Sequence, residues 1–271
     1  MAGRNHLTPW LLSAAAMTFC VIALFPPVWA TVISFTPVER VGASVLPETW
    51  TIDNYRDVFA QPLFWESLGH SATAAVATTV LATILGIMAA FGMTRFRTRY
   101  DGLALTALGV RMIPGIVLII PFYLLFLDLH LLDTIPGLVI VYLTFSLPFA
   151  IWMIRGFFLT IPFEIDEAAA LDGAGDWGML WRMHVPIAAP GILVTGVLVF
   201  LFCWNEFLFA LILTDQQALT FLPLLTRFDL PQGPLYGQIF AGSTVFLLPP
   251  LIGLLLIRRS LSVAFGVGAF K

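Results

Sequence analysis

Charge is scarce in this sequence. Only 11% of its 271 residues are Asp, Glu, Lys or Arg, and 59% are hydrophobic. A soluble domain carries about 25% charged residues. So little polar surface cannot cover a water-soluble globule of this size, so the chain reads as an integral membrane protein. Cysteine is rare too. Cys20 and Cys203 both lie in apolar runs, where thiols behave as small hydrophobes, and this argues against a disulfide framework. No Gly-x-x-x-x-Gly-Lys-Ser/Thr loop is present, so the chain lacks the P-loop that cradles nucleotide phosphates. There is no internal repeat of the kind that single-chain secondary transporters often show. Ten-residue alternating segments, the mark of a membrane β-barrel, are missing as well. Every polar stretch is short, which leaves no room for a soluble catalytic domain.

What the sequence does have is long apolar runs. They fall at about 9–35, 70–93, 103–127, 136–159, 191–213 and 239–257. Each is long enough for a hydrocarbon core of about 30 Å at 1.5 Å per helical residue, and helices satisfy their own backbone groups, as lipid requires. The first run could be mistaken for a signal peptide, with Val28-Trp29-Ala30 as a cleavage site. It is longer than the 7–15 residues of a signal h-region and continues past Ala30, so it is expected to be a retained span. The second run is rich in Ala and Thr, small residues that let helices approach closely.

Six spans place both termini on one side. Arg and Lys then divide nine to three. Arg4, Arg95, Arg97, Arg99, Arg155, Arg182, Arg258, Arg259 and Lys271 are on the side of the termini, and Arg40, Arg56 and Arg227 are on the other. Basic loops stay in the cytoplasm, so both termini are expected inside the cell. The loops 36–66 and 215–237 are then expected outside.

A long departure from apolarity is the segment 161–190, IPFEIDEAAALDGAGDWGMLWRMHVPIAAP, with four carboxylates within nine residues. It falls on the cytoplasmic side of this topology. Pro162 suits a first helical turn, and Glu164, Asp166 and Glu167 fall in or near the first turns, where negative charge complements the helix dipole. Gly173 and Gly175 interrupt the helix. Asp176 is placed to cap a second short helix, Trp177 to His184, ending at Pro186. From the residues alone, this helix–turn–helix is either a solvated loop or a docking element. A paired-carboxylate catalytic or metal site would need convergent partners, and the stretch supplies no Cys and one lone His, His184, which reads as structural.

Glu167-Ala168-Ala169, Asp172-Gly173-Ala174 and Val185-Pro186 resemble the EAA motif of bacterial ABC importer permeases. Gly173 stands six residues after Glu167, and Met183, Val185 and Pro186 close the motif in register. Asn54-Tyr55, Thr94-Arg95-Phe96-Arg97, Trp204-Asn205-Glu206-Phe207 and the ending Gly266-Val267-Gly268-Ala269-Phe270-Lys271 extend the resemblance over most of the chain. They point to the carbohydrate-type subfamily, similar to the maltose permease G subunit. His70 departs from the Asn usual there.

The resemblance implies an all-α membrane fold of the type I (MetI-like) importer class, with six transmembrane helices and a cytoplasmic coupling helix. Residues 1–66 would form the first span and an external loop, and 67–271 the five-helix core. Glu167, Ala168, Ala169, Asp172, Gly173, Ala174 and Pro186 would couple to the ATPase. ATP and Mg would be bound by that partner and no cofactor by this chain, which would be no enzyme itself. The implied partners are a second permease, two cytoplasmic ATPase subunits, an extracytoplasmic substrate-binding protein and membrane lipid, with no nucleic acid. The implied place is a prokaryotic inner membrane and the implied cargo a sugar, oligosaccharide or polyol. A non-sugar ABC permease and a self-contained transporter remain the alternatives.

Two polar positions stand out within the spans, because an ionisable group at a bilayer centre costs about 2.5–3.5 kcal/mol on insertion scales. Trp204, Asn205 and Glu206 either border the solute pathway or clasp a neighbouring helix. Arg111 could snorkel, pair with Glu206 or face the pathway.

Overall fold

The computed structural model describes residues 7–42, 46–95, 109, 113–230 and 233–266. Among them the chain is helical, apart from a two-residue antiparallel pair, Asp229–Leu230 with Gly233–Pro234. Five helical segments have the length and apolarity to cross a membrane: Trp10–Ile33, Pro62–Arg95, Ile135–Phe158, Asp176–Trp204 and Tyr236–Arg258. The shorter apolar helix Gly115–Asp128 stands where the third span is expected. Arg111 lies outside the described residues, as do Arg4, Arg97, Arg99 and Val267 to Lys271.

The chain divides into two compact units, Met1–Phe64 with Leu225–Leu248, and Trp65–Leu224 with Pro249–Lys271. In the first unit, α1 (Leu7–Ile33) is followed by a loop that carries a short helix, α2 (Asp53–Phe59). The stretch 36–66, expected as a polar loop, thus carries a helix of its own. Asn54 is the reason for the order there. Its buried amide donates to the Ser34 and Thr36 carbonyls at 2.8 and 2.7 Å, tying α2 to the end of α1. Tyr55 shares a 2.6 Å hydrogen bond with Ser34 Oγ. A Cβ on Gly237 would lie 2.6 Å from the Asn54 amide, so the helix beginning at Tyr236 can approach only with glycine at that place.

The second unit holds most of the length of α3 (Pro62–Arg95), which starts eight residues earlier than expected. It also holds α4 (Gly115–Asp128) and α5 (Ile135–Phe158). The α5 start follows capping chemistry: Thr134 Oγ1 accepts the Gly137 N–H at 3.1 Å, and Pro136 occupies the first turn. A Cβ on Gly86 would meet that of Ala150 at 3.1 Å, so α3 and α5 are held together by small residues.

Candidate functional site: a polar bracket and a cavity beneath a broken span

The segment 161–190 folds as a bracket. Its first limb is α6 (Phe163–Leu171), with Pro162 at the cap position and Glu164 and Asp166 in the first turn. The helix ends in a Schellman motif. The Ala174 N–H donates to the Ala169 carbonyl at 2.9 Å and the Gly173 N–H to the Ala170 carbonyl at 3.0 Å. Gly173 carries the left-handed φ of +80° that this stop requires. Gly173 therefore fixes where the first limb ends, six residues after Glu167.

The second limb departs from expectation. Gly175, not Asp176, occupies the cap position, and α7 spans only Asp176–Met179. A π-turn, Leu180–His184, then leads directly into α8 (Val185–Trp204), closed by the Val185 N–H on the Leu180 carbonyl. Pro186 therefore does not end the helix. Proline has no N–H to donate and its ring crowds the carbonyl four residues back, and the wider π-turn just before it accommodates both defects. The fifth span thus starts at the bracket itself and not at Gly191.

The bracket's inner face is apolar. Ala169, Met179 and Leu180 pack with Ile87, Phe91 and Phe158. Within this layer lies a polar cluster that sequence reasoning missed. Asp166 and His184 are buried, and His184 Nε2 stands 2.7 Å from Asp166 Oδ1. The carboxylate accepts, so Nε2 carries the proton. Asp166 Oδ2 is 3.6 Å from an Arg95 guanidinium nitrogen, and Arg95 Nε is 3.7 Å from Asp176. Phe91 and Phe158 meet the imidazole edge-on, with centroids 5.0 and 5.2 Å away. His184 is not the lone residue that the sequence suggested. Its partner lies 18 residues away across a turn, and nothing in the local sequence pairs the two.

The outer face is different in kind. Glu164, Glu167, Ala168 and Leu171 are all exposed, Leu171 by 89%. Their spacing is that of one helical stripe. Asp172, Gly173 and Pro186 are also exposed, Ala174 is partly buried, and Trp177 is 63% exposed.

Above α8 the span is broken. Asn205 ends α8 and folds its amide back onto the Leu201 carbonyl at 2.8 Å. A second helix, α9 (Leu208–Leu213), follows. Glu206 makes the break possible. Its carboxylate accepts the Phe209 and Ala210 N–H groups at 3.0 and 3.1 Å, which no helical carbonyl serves in a first turn. Tyr142 lines the same cavity as this carboxylate. A cavity of about 690 Å³ lies here, lined by Tyr142, Phe145, Ser146, Asn205, Glu206 and Phe207 among others. Trp204 is not among its lining residues. It is buried and stacked on Phe200 at 5.4 Å. Among the described residues, no group of three or more His, Cys, Asp or Glu is placed to hold a metal ion.

Membrane-crossing helices, a polar-edged cavity at a broken span and a charged bracket together define a helical membrane transport component. The chain belongs to the family of binding-protein-dependent transport system inner membrane components, which matches residues 82–262. Trehalose transport system permease protein SugB of Mycobacterium tuberculosis is 35% identical to it, over 99% of each chain. Diacetylchitobiose uptake system permease protein NgcG of Streptomyces coelicolor is 29% identical, over 95% of this chain and 87% of its own. The fold matches a chain of a bacterial ABC transporter involved in the import of the acidic polysaccharide alginate. The TM-score is 0.76 at 21% identity, covering 96% of this chain and 98% of that one. This makes the architecture that of a type I importer permease.

Proposed function

We propose that this chain is a permease subunit of a carbohydrate importer, driven through the bracket by a separate cytoplasmic ATPase. The outer stripe of α6 carries the coupling half of this reading. An exposed set at i, i+3, i+4 and i+7, apolar at Leu171 and acidic at Glu164 and Glu167, is the pattern by which a short helix seats in a partner's groove. Glu167 would meet a basic side chain there. Ala168 allows close approach, and Gly173 holds the turn at the stripe's end. ATP and Mg would belong to the ATPase pair, while a second permease would complete the pathway and a binding protein would deliver solute from outside. The excess of Arg and Lys on one side supports cytoplasmic termini and a cytoplasmic bracket. The carbohydrate half rests on the transport systems of the relatives, for trehalose and diacetylchitobiose, and on the aromatic and amide lining of the cavity at Asn205.

Glu167→Lys reverses the charge on the stripe. Gly173→Pro cannot adopt a φ of +80°, since proline is fixed near about −65°. Both variants are expected to reach the membrane and to lose uptake of radiolabelled sugar in cells. Normal uptake by both at matched protein levels would remove the coupling role.

A further inference from the structure

The bracket's two limbs are attached to the spans in different ways. The second is continuous with α8 through the π-turn, so any movement of it moves the fifth span directly. The first limb is joined to α5 by the four residues Leu159–Pro162, and to the second limb by the turn containing Gly173 and Gly175. Its packing through the Ala169 methyl is non-directional and permits sliding. Asp166 is different. It is buried, and its two oxygens face two different elements: His184 at the start of the fifth span, at 2.7 Å, and Arg95 at the end of α3, at 3.6 Å. A short charge-assisted hydrogen bond fixes both distance and direction. The edge-on rings of Phe91 and Phe158 limit how far the imidazole can turn away.

We infer that the Asp166–His184 contact is the strut that passes movement of the first limb to the fifth span, which makes both of them positioning residues for transport. The inference rests on the coupling role proposed for the outer stripe of α6. Asp166 is buried and its neighbour Glu167 is exposed on the same helix, so the ATPase would push on one and the span would be moved by the other. Losing the strut leaves the docking stripe intact. The expected defect is therefore slipping, in which ATP is hydrolysed without proportionate solute movement.

The test uses the complete transporter in proteoliposomes, with sugar uptake and ATP hydrolysis measured on the same preparation. His184→Leu and Asp166→Ala are expected to assemble and hydrolyse ATP but to lower uptake per ATP by about tenfold. His184→Gln keeps an N–H at nearly the same reach and is expected to recover more than half of the ratio. His184→Asn, whose amide is too short, is expected to behave like His184→Leu, and it replaces that variant if the leucine form does not assemble. An unchanged ratio in the Leu and Asn variants would overturn the strut, as would a Gln variant as defective as they are. Glu167→Lys separates the two proposals. If it abolishes uptake while the His184 variants keep a normal ratio, docking stands and the strut falls. If Glu167→Lys and Gly173→Pro both transport normally, docking falls and the strut falls with it.

Discussion

Replacing Glu206 by alanine should destabilise the protein before it does anything specific to transport. The carboxylate holds the first turn of α9 by accepting two backbone N–H groups. Hydrogen bonds to a charged group contribute about 1.5–3 kcal/mol each. Two of them lost in dry lipid would cost about 3–6 kcal/mol. The adjoining cavity can admit water to the freed N–H groups, so the lower figure, about 3 kcal/mol, is the appropriate one. At about 2–4 °C per kcal/mol for a chain of this size, the apparent Tm in detergent should fall by about 6–12 °C. Glu206→Gln keeps one oxygen to accept from the helix and should lose about half of that.

The glutamine variant separates the two readings of this position. If the carboxylate is a helix cap, Glu206→Gln should melt several degrees lower and keep sugar uptake within about threefold of the parent, at matched protein levels. If the carboxylate is instead a solute ligand, Glu206→Gln should melt like the parent and lose uptake by tenfold or more. That second pattern would refute the capping argument, because the two N–H groups would have found other partners at no cost.

In the first unit, Gly237→Ala would drive a methyl into the Asn54 amide, and overpacking of this kind costs about 1–3 kcal/mol. Asn54→Ala leaves two carbonyl acceptors unserved and should cost a similar amount, about 2 kcal/mol. The double variant should be less destabilised than the sum of the two, and full additivity in thermal melts would show that the residues do not share a contact. Outside the spans, partial burial raises the pKa of Asp133, but the backbone N–H groups of Asp215, Gln217, Ala218 and Gln216 outweigh it and hold the carboxyl below its usual range. A lowered folded-state value stabilises the protein fully above the ordinary carboxylate range, and that stabilisation is lost as pH falls through the lowered value. Asp133→Asn should therefore melt below the parent by a constant margin from about pH 5 to 7, and the margin should shrink below about pH 4. A margin independent of pH would show that the charge is not what holds this loop.

Span positions were legible because an apolar run of membrane length seldom forms anything but a crossing helix; 136–159 matches Ile135–Phe158 almost residue for residue. Gly173 was legible as a stop because a left-handed C′ position selects glycine. The break at Asn205–Phe207 was not. The flanking sequence is apolar throughout, with neither Gly nor Pro, and the break depends on one carboxylate reaching back to serve N–H groups three and four residues ahead. Pro186 misled for a related reason. Its usual effect is to end a helix, and a π-turn whose sequence has no signature absorbed that effect. The Asp166–His184 pair was invisible because it joins two elements across a turn, at a separation with no helical or strand periodicity. In each case the missed feature is a side chain or proline acting on a neighbouring element and not on its own.

The carboxylates of the bracket, which look alike in the sequence, are sorted by where the helix puts them. Glu164 sits near the α6 N-terminus, where the dipole favours it, and faces outward. Asp166 shares that favourable end but faces inward, where burial forces it to take partners, and it has them in His184 and Arg95. Asp172 sits at the opposite end, at the C-cap, and is exposed. A negative charge there opposes the helix dipole by about 0.3–1 kcal/mol, so local helix stability does not explain it. Glu167 sits between them, one residue from the buried Asp166. Glu167 lies past the first turn, where the dipole no longer favours it as the sequence had suggested, and it and Asp172 are both exposed. Exposed carboxylates are normally satisfied by water alone, so it is the stripe of Glu164 and Glu167 with Ala168 and Leu171, and not their charge, that the coupling role proposed for this face rests on.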